Sequence, residues 1–385
     1  MASFLFILGR KSDLCFAEAQ KVLVARFPDS SPTRIHENIL LAELESEEEA
    51  RSLQDVLGGT MKVAAVAAKI PNVSTEKLEE GVADVLQTLL PKDQTKITFG
   101  IGEFGRESLD AINHAHVKKH LKEKGVSSRF VDSVRSGLSA SVLLHQDVDE
   151  VLVVKADGDV YFAYTITVQN IDDWTRRDRE KPATDRKRGM LPPKLARTML
   201  NLAVPGSEKK RILDPFCGTG TVLLEGLMLD KEVVGSDIRA DAVKQTLENL
   251  KWFISVYPGE YTYDTFMVDA TQITEEMLHG KVDAIVAEGL LGPMTPNAKE
   301  LPNVFKGLEK LYLGSLRQWR QILKPGARVC LALPQVEIGK TIYSLKNLID
   351  RSSELGYNTH LAPMIYDRPE AVVKREIFVL EYHPK

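Results

Sequence analysis

An α/β chain is predicted, with two small α+β units in its N-terminal half and an open, largely parallel sheet of seven strands in its C-terminal half. Three observations carry that expectation. From Gly189 onward, short apolar runs alternate with amphipathic stretches, the pattern of parallel strands joined by crossover helices. Asp214-Pro-Phe-Cys-Gly-Thr-Gly220 places a glycine-bearing loop between a predicted strand and a predicted helix. Before residue 170 the strands and helices are spaced as in compact α+β units.

The first element, residues 3–9, is apolar but too short for a signal-peptide core. It leads into Arg10 and Lys11 without a small-residue cleavage pattern, so it reads as a buried strand. An amphipathic helix at 16–27, a strand at 39–44 and a Glu-rich helix at 47–57 follow, and Leu57-Gly-Gly-Thr60 turns the chain into a strand at 62–67. The second unit has a helix at 76–90, a strand at 96–100, a helix at 109–124 and strands at 140–144, 150–155 and 160–168. A polar, Arg-rich linker spans 172–188. The strands beyond it are placed at 211–214, 232–237, 265–269, 282–288, 327–333, 359–364 and 376–382.

At 385 residues, 43% hydrophobic and 27% charged, the chain has the length of two or three domains and lacks the composition of a disordered one. No run approaches the roughly 20 apolar residues of a bilayer span. Cys15, Cys217 and Cys330 are too far apart for a disulfide framework or a CxxC zinc site, so free thiols, a cytoplasmic setting and no metal are expected. His114, His116 and His120 share a predicted helix, but the lysines beside them disfavour a cation and no fourth ligand is evident. The net charge of −4 says nothing for nucleic acid. Two local clusters do carry positive charge: Lys118, Lys119, Lys122 and Lys124 before Arg129, and Arg176, Arg177, Arg179, Lys181, Arg186, Lys187, Arg188, Lys194 and Arg197. Each alone reads as a solvated face.

The glycine loop lacks Gly-Lys-Ser/Thr, and Lys231 lies too far along to serve, so a Walker phosphate cradle is excluded. Leu223 stands where a dinucleotide fingerprint has its third glycine. Asp214, just ahead of Gly218 and Gly220, suits a cationic amino-acid moiety and would repel a pyrophosphate. The next strand ends in Val234-Gly-Ser-Asp237, about 20 residues on, where a carboxylate can accept hydrogen bonds from ribose hydroxyls. The third ends in Val268-Asp269-Ala270, placed to accept from an adenine amino group. Each of these carboxylates could be a helix N-cap. Together, at successive strand ends, they fit a methyl-donor nucleoside.

Asp214-Pro-Phe-Cys-Gly-Thr-Gly-Thr221 resembles the first motif of class I RNA methyltransferases. Gly189-Met-Leu-Pro-Pro-Lys-Leu-Ala196 with Asn201-Leu-Ala203 resembles the segment preceding it in THUMP-containing tRNA guanine-N2-methyltransferases. Phe6-Ile-Leu-Gly-Arg10, Leu57-Gly-Gly-Thr60, residues 118–130, Val168-Gln-Asn-Ile171, Trp174 with Arg176-Arg-Asp178, Lys181-Pro182 and Arg375-Glu-Ile377 extend the likeness over nearly the whole chain. The resemblance implies a ferredoxin-like domain at 1–70, a THUMP domain at 71–170 that holds the tRNA acceptor end, a basic linker at 171–188 and a Rossmann-like seven-stranded class I methyltransferase domain at 189–385. It implies S-adenosylmethionine as cofactor, held by Pro193, Asp214, Phe216, Gly218, Gly220, Asp237, Ile238, Asp269, Ala270 and Glu288. Under it, Lys118, Lys119, Lys122, Arg129, Arg176, Arg177, Arg186, Lys187 and Arg188 become RNA contacts, largely to phosphates, and the target guanosine, of the position-10 type, leaves its stack to react. Whether a small activating protein subunit takes part is left open.

One motif departs from that pattern. Amino-group methyltransferases carry Asp/Asn-Pro-Pro-aromatic after the fourth strand, where this chain reads Ala287-Glu-Gly-Leu-Leu-Gly-Pro293. Glu288 can accept from an exocyclic amine and the Gly289 carbonyl can replace the proline carbonyl, but nothing aromatic follows. Three readings stay open: a variant catalytic pocket with stacking supplied elsewhere, for instance by Trp174 or Tyr366; a different target atom, base or nucleic acid; and a tRNA-binding protein without catalysis. A cytosine-type cysteine nucleophile is disfavoured, since Cys217 lies in the glycine loop and Cys330 within a predicted buried strand.

Overall fold

Periodicity of two and of about 3.6 both recur along this chain, and in the computed structural model they resolve into two units, Met1–Asp173 and Trp174–Lys385. All residues except 72–73, 106–111, 186–189, 294 and 369–370 are described.

The first unit runs β1 (Ala2–Leu8), α1 (Ser12–Arg26), β2 (Thr33–His36), β3 (Ile39–Leu44), α2 (Glu47–Val56), β4 (Thr60–Pro71), α3 (Thr75–Leu89), β5 (Lys96–Phe104), α4 (His114–Glu123), β6 (Ser127–Phe130), α5 (Ala140–His145), β7 (Asp149–Ala156) and β8 (Asp159–Val168). One sheet in the order β2-β3-β1-β4-β8-β7-β5-β6 runs through it. Residues 1–70 contribute the β-α-β-β-α-β half, with β1 antiparallel to both β3 and β4. The long β4 then pairs with β8 from Lys62 to Pro71 and carries the sheet into the second half. Lys62 and Glu150, both buried, pair at 2.7 Å, and Glu150 also accepts from Thr165.

Residues 140–144, predicted as a strand, form the helix α5 instead. The Ser139 side chain accepts from the Val142 N–H and caps it, and five residues are too few for a hydrophobic period to decide. The four-residue strands β2 and β6 were below the reach of the pattern.

The chain enters the second unit through α6 (Ile171–Thr175) and a π-helical turn at Arg176–Glu180. There follow α7 (Pro193–Ala203), β9 (Arg211–Asp214), α8 (Thr221–Met228), β10 (Glu232–Asp237), α9 (Ala240–Val256), β11 (Tyr263–Met267), β12 (Val282–Glu288), α10 (Leu301–Trp319), β13 (Leu323–Ile338), β14 (Thr341–Tyr343), α11 (Lys346–Glu354), β15 (Tyr357–Tyr366) and β16 (Val373–Tyr382). The sheet order is β11-β10-β9-β12-β13-β16-β15, with β16 antiparallel to its neighbours and β14 folded back on β13. The nearly continuous burial of β12 is that of a strand covered on both faces. On one face Leu301, Phe305, Leu308, Tyr312, Leu316 and Trp319 recur at three- and four-residue spacing along α10 and pack on Ala287, Leu331, Leu333 and Phe378. Strand order reverses between β9 and β12, so a crevice opens at their carboxyl ends.

Candidate functional site at the carboxyl ends of β9 and β12

β9 delivers Asp214 to the sheet edge almost wholly buried, and the chain then turns through Gly218 and Gly220, with φ of 55° and 82°. Both lie in the left-handed region, where a side chain is strained, and a Cβ on Gly220 would stand 3.0 Å from Thr246. The loop is held by its neighbours. Phe216 N–H donates to Asp214 Oδ1 at 3.0 Å, Gly218 N–H to Asp237 Oδ2 at 3.2 Å, and Thr246 Oγ1 to the Gly218 carbonyl at 3.0 Å. Asn249, inside α9, donates to the Thr219 carbonyl at 2.8 Å.

A cavity of about 280 Å³ lies between this loop and the segment after β12, lined by Asp214, Phe216 to Thr219 and Val222 on one side and Glu288 to Gly292 on the other. Asp185, Met190, Leu191 and Arg239 complete its wall. Burial holds the Asp214 carboxyl well above the usual carboxylate range, and the nearby Asp237 and Glu288 push it the same way. Among the described residues no cationic side chain pairs with it. Burial also pushes the thiols of Cys217 and Cys330 up, so neither is a ready nucleophile.

Glu288 reaches the cavity as an ion pair with Arg375 of β16. Behind it, Tyr312 of α10 donates its hydroxyl to the Leu290 carbonyl at 2.9 Å. Its ring fills the space next to Gly289, where any Cβ would overlap it. With the Tyr312 ring in this place, position 289 has no room for a side chain.

Residues 181–356 match the RMKL-like methyltransferase domain family. Over 163 residues the chain is 36% identical to a tRNA (guanine(10)-N2)-dimethyltransferase of Methanothermobacter thermautotrophicus, a match covering 42% of this chain and 42% of that protein. A protein of the same name from Pyrococcus abyssi is 25% identical over 71% of this chain and 82% of its own length. Among solved structures, TrmN from Thermus thermophilus aligns with a TM-score of 0.57 over 99% of both chains at 19% identity, a likeness of fold.

Around this cavity the predicted site residues fall into distinct places. Gly220 caps α8, and Pro193, buried, opens α7. Asp237 sits at the tip of β10, its two oxygens taken by the Gly218 and Arg239 N–H groups, followed by the exposed Ile238. β11 stops at Met267, two residues short of its predicted end, so Asp269 and the buried Ala270 lie past the strand tip. There Asp269 accepts from Thr271 N–H and Oγ1 at 2.8 and 2.7 Å.

The Arg-rich segment is where the sequence misled. Arg177, expected on RNA, is 2% exposed: it pairs with Glu225 of α8 at 2.7 Å and lies 4.5 Å above the Trp174 ring. Arg197 of α7 pairs with the second Glu225 oxygen at 2.6 Å. Lys181, also buried, donates to Thr221 Oγ1 at 2.8 Å, and the Ala183 backbone is bonded at both its N–H and carbonyl by Asn249. Up to Asp185 this stretch is therefore a strap laid on the glycine loop and the helix that follows it. The signal for it was Glu225, a lone carboxylate in the apolar run Thr-Val-Leu-Leu-Glu-Gly-Leu-Met, which demands a buried cation. Arg176 is exposed beside Glu180, and Arg186, Lys187 and Arg188 lie outside the described residues. In the first unit Lys118, Lys119, Lys122 and Arg129 are all exposed on α4 and β6. His114 stacks on Phe130 and His116 contacts Glu79, and no cluster of three or more metal-type ligands occurs among the described residues. No described helix is long and apolar enough to cross a membrane.

Proposed function

We propose that this protein is a cytoplasmic S-adenosylmethionine-dependent methyltransferase acting on the exocyclic N2 amine of a guanosine in tRNA, of the position-10 type. One observation carries the reading: a buried carboxylate, Asp214, raised toward its neutral form and without a cationic partner among the described residues, faces a cavity bordered by left-handed glycines. Such a site is incomplete without a positive ligand that can approach backbone closely. The names of the archaeal relatives supply the substrate.

The cofactor, when bound, supplies an electrophilic methyl group. Asp214 receives its cationic amino-acid end, Phe216, Gly218 and Gly220 shape the loop around it, and Met190 and Leu191 close the apolar side. Asp237 and Ile238 at the tip of β10, and Asp269 and Ala270 beyond β11, would hold its nucleoside. Glu288 and the Gly289 carbonyl accept from the guanine amine and turn its lone pair toward the cavity, a gain of orientation. No strong base is needed before transfer, because the proton can leave afterwards. Residues 71–170 serve as the RNA-holding THUMP domain, with Lys118, Lys119, Lys122 and Arg129 on phosphates, and Arg176 is a further candidate phosphate contact in the second unit.

The test is incubation of the purified protein, without any activating subunit, with labelled S-adenosylmethionine and bulk tRNA, followed by nucleoside analysis. Labelled N2-methyl- or N2,N2-dimethylguanosine is expected. Label on another nucleoside moves the target, and no label with intact tRNA binding overturns the enzyme reading.

A further inference from the structure

The segment Glu288-Gly-Leu-Leu lacks the prolines that would stiffen it, and glycine adds backbone freedom. Orienting an amine demands the opposite, a carboxylate held to within a fraction of an ångström. The restraint comes from two directions. Glu288 pairs with Ala332 of β13, Ala332 with Ile377 of β16, and Arg375 stands two residues from Ile377, so Glu288 and Arg375 share one face of the sheet. From that face Arg375, largely buried, reaches back across β13 to one carboxylate oxygen of Glu288. On the opposite face Tyr312 belongs to the core beneath α10 and fixes the Leu290 carbonyl while excluding any side chain at Gly289.

We propose that Arg375 and Tyr312 are positioning residues, a two-sided clamp that aims Glu288 and its loop at the reacting amine in place of the missing prolines. The inference rests on Glu288 being the amine acceptor. It adds an electrostatic role for Arg375: three carboxylates, Asp214, Asp237 and Glu288, crowd this sheet edge, and Asp185 lines the same cavity. Arg239 stands beside Asp237 and Asp241, and among the described residues Arg375 is the cation paired to Glu288, with the Tyr312 hydroxyl of α10 close enough to feel its charge. Arg375 engages one oxygen of Glu288 and leaves the other for the substrate.

The experiment compares wild type with Arg375→Met, Arg375→Lys and Tyr312→Phe. Two quantities are read: the pH dependence of single-turnover methyl transfer, and the protons exchanged when S-adenosylmethionine binds, from calorimetry in buffers of different ionisation enthalpy. Arg375→Met is expected to move the acidic limb of the rate profile up by roughly one to three pH units, as loss of an adjacent opposite charge does. It should also release extra protons on cofactor binding. Arg375→Lys restores the limb but recovers the rate only in part. Tyr312→Phe lowers kcat about tenfold or more with KM for tRNA little changed. An acidic limb and proton count that stay at wild-type values in Arg375→Met, with activity falling only as far as the folded fraction falls, overturn the clamp. If the wild type transfers no methyl group while Arg375→Met still changes the proton count, the enzymatic reading fails and the pairing that fixes Glu288 stands.

Discussion

Asp214 concentrates the electrostatics of the site in one side chain. Its carboxyl is raised by burial first and by Asp237 and Glu288 second, against the single Phe216 N–H that favours the charged form. A carboxyl with a raised folded-state pKa contributes stability that is present below its unfolded value and lost as pH climbs through the folded one. The ligand-free protein therefore sheds stability as pH rises through that window, and a cationic ligand restores it. Asp214→Asn keeps the acceptor for Phe216 and removes the titration. It is expected to raise the melting temperature of the free protein by about 2–4 °C at pH 8 relative to wild type, with a smaller gain at pH 5. The same variant should bind S-adenosylmethionine at least about tenfold more weakly, because the buried charge that selects a cation is gone. Thermal unfolding at the two pH values and calorimetry check both halves. This residue was legible in the sequence because a carboxylate at a strand end just ahead of a glycine turn is a local pattern. Arg375 and Tyr312 were not, since their meeting with Glu288 and Leu290 depends on strand register and on a helix that crosses the sheet 22 residues after Leu290.

At the scale of an element, the strap before α7 is the part whose sequence and structure differ most. Nine basic residues in a polar stretch look solvated, yet Arg177, Lys181 and Arg197 are buried because one carboxylate, one hydroxyl and the Trp174 ring wait for them on α8 and beside it. A buried pair is weak evidence of net stabilisation, but breaking one leaves a charge without compensation. Glu225→Ala removes the carboxylate that both buried guanidiniums pair with and is expected to cost about 3–5 kcal/mol, read from the denaturant midpoint at constant slope. Lys181 responds to pH. Burial brings its ammonium down to about 8, with Asp178 and Glu225 opposing the shift. Because the unfolded chain holds that proton up to about 10.5 and the folded one releases it near 8, this lysine adds stability as pH rises between those values. Lys181→Met should flatten that part of the stability profile relative to wild type, and should loosen the glycine loop by freeing Thr221. Denaturant titrations from pH 7 to pH 10 separate it from a variant that is merely less stable at every pH.

Over the whole molecule, fold class was readable because the parallel sheet repeats one rule: apolar run, turn, amphipathic helix. The same rule said little about the first unit, where α5 and the strands β2 and β6 are too short to show a period. What that unit does present is charge. Lys118, Lys119 and Lys122 stand exposed along α4, with Arg129 on β6 close after it, on a protein whose net charge is −4. A surface that gathers cations against the average of the chain is the footprint of a polyanion. If these side chains sit on tRNA phosphates, each displaces condensed counterions, so their removal lowers affinity and also changes how affinity depends on salt. Lys118→Glu, Lys119→Glu and Lys122→Glu combined are expected to weaken tRNA binding and to reduce the slope of log K against log salt by about two to three. S-adenosylmethionine binding and melting temperature should stay at wild-type values, because all three side chains project from the exposed side of α4 while Val117 and Leu121 hold the helix to the core. Filter binding between about 50 and 200 mM salt reads the slope directly. A triple variant with unchanged slope would take α4 out of the proposed RNA interface.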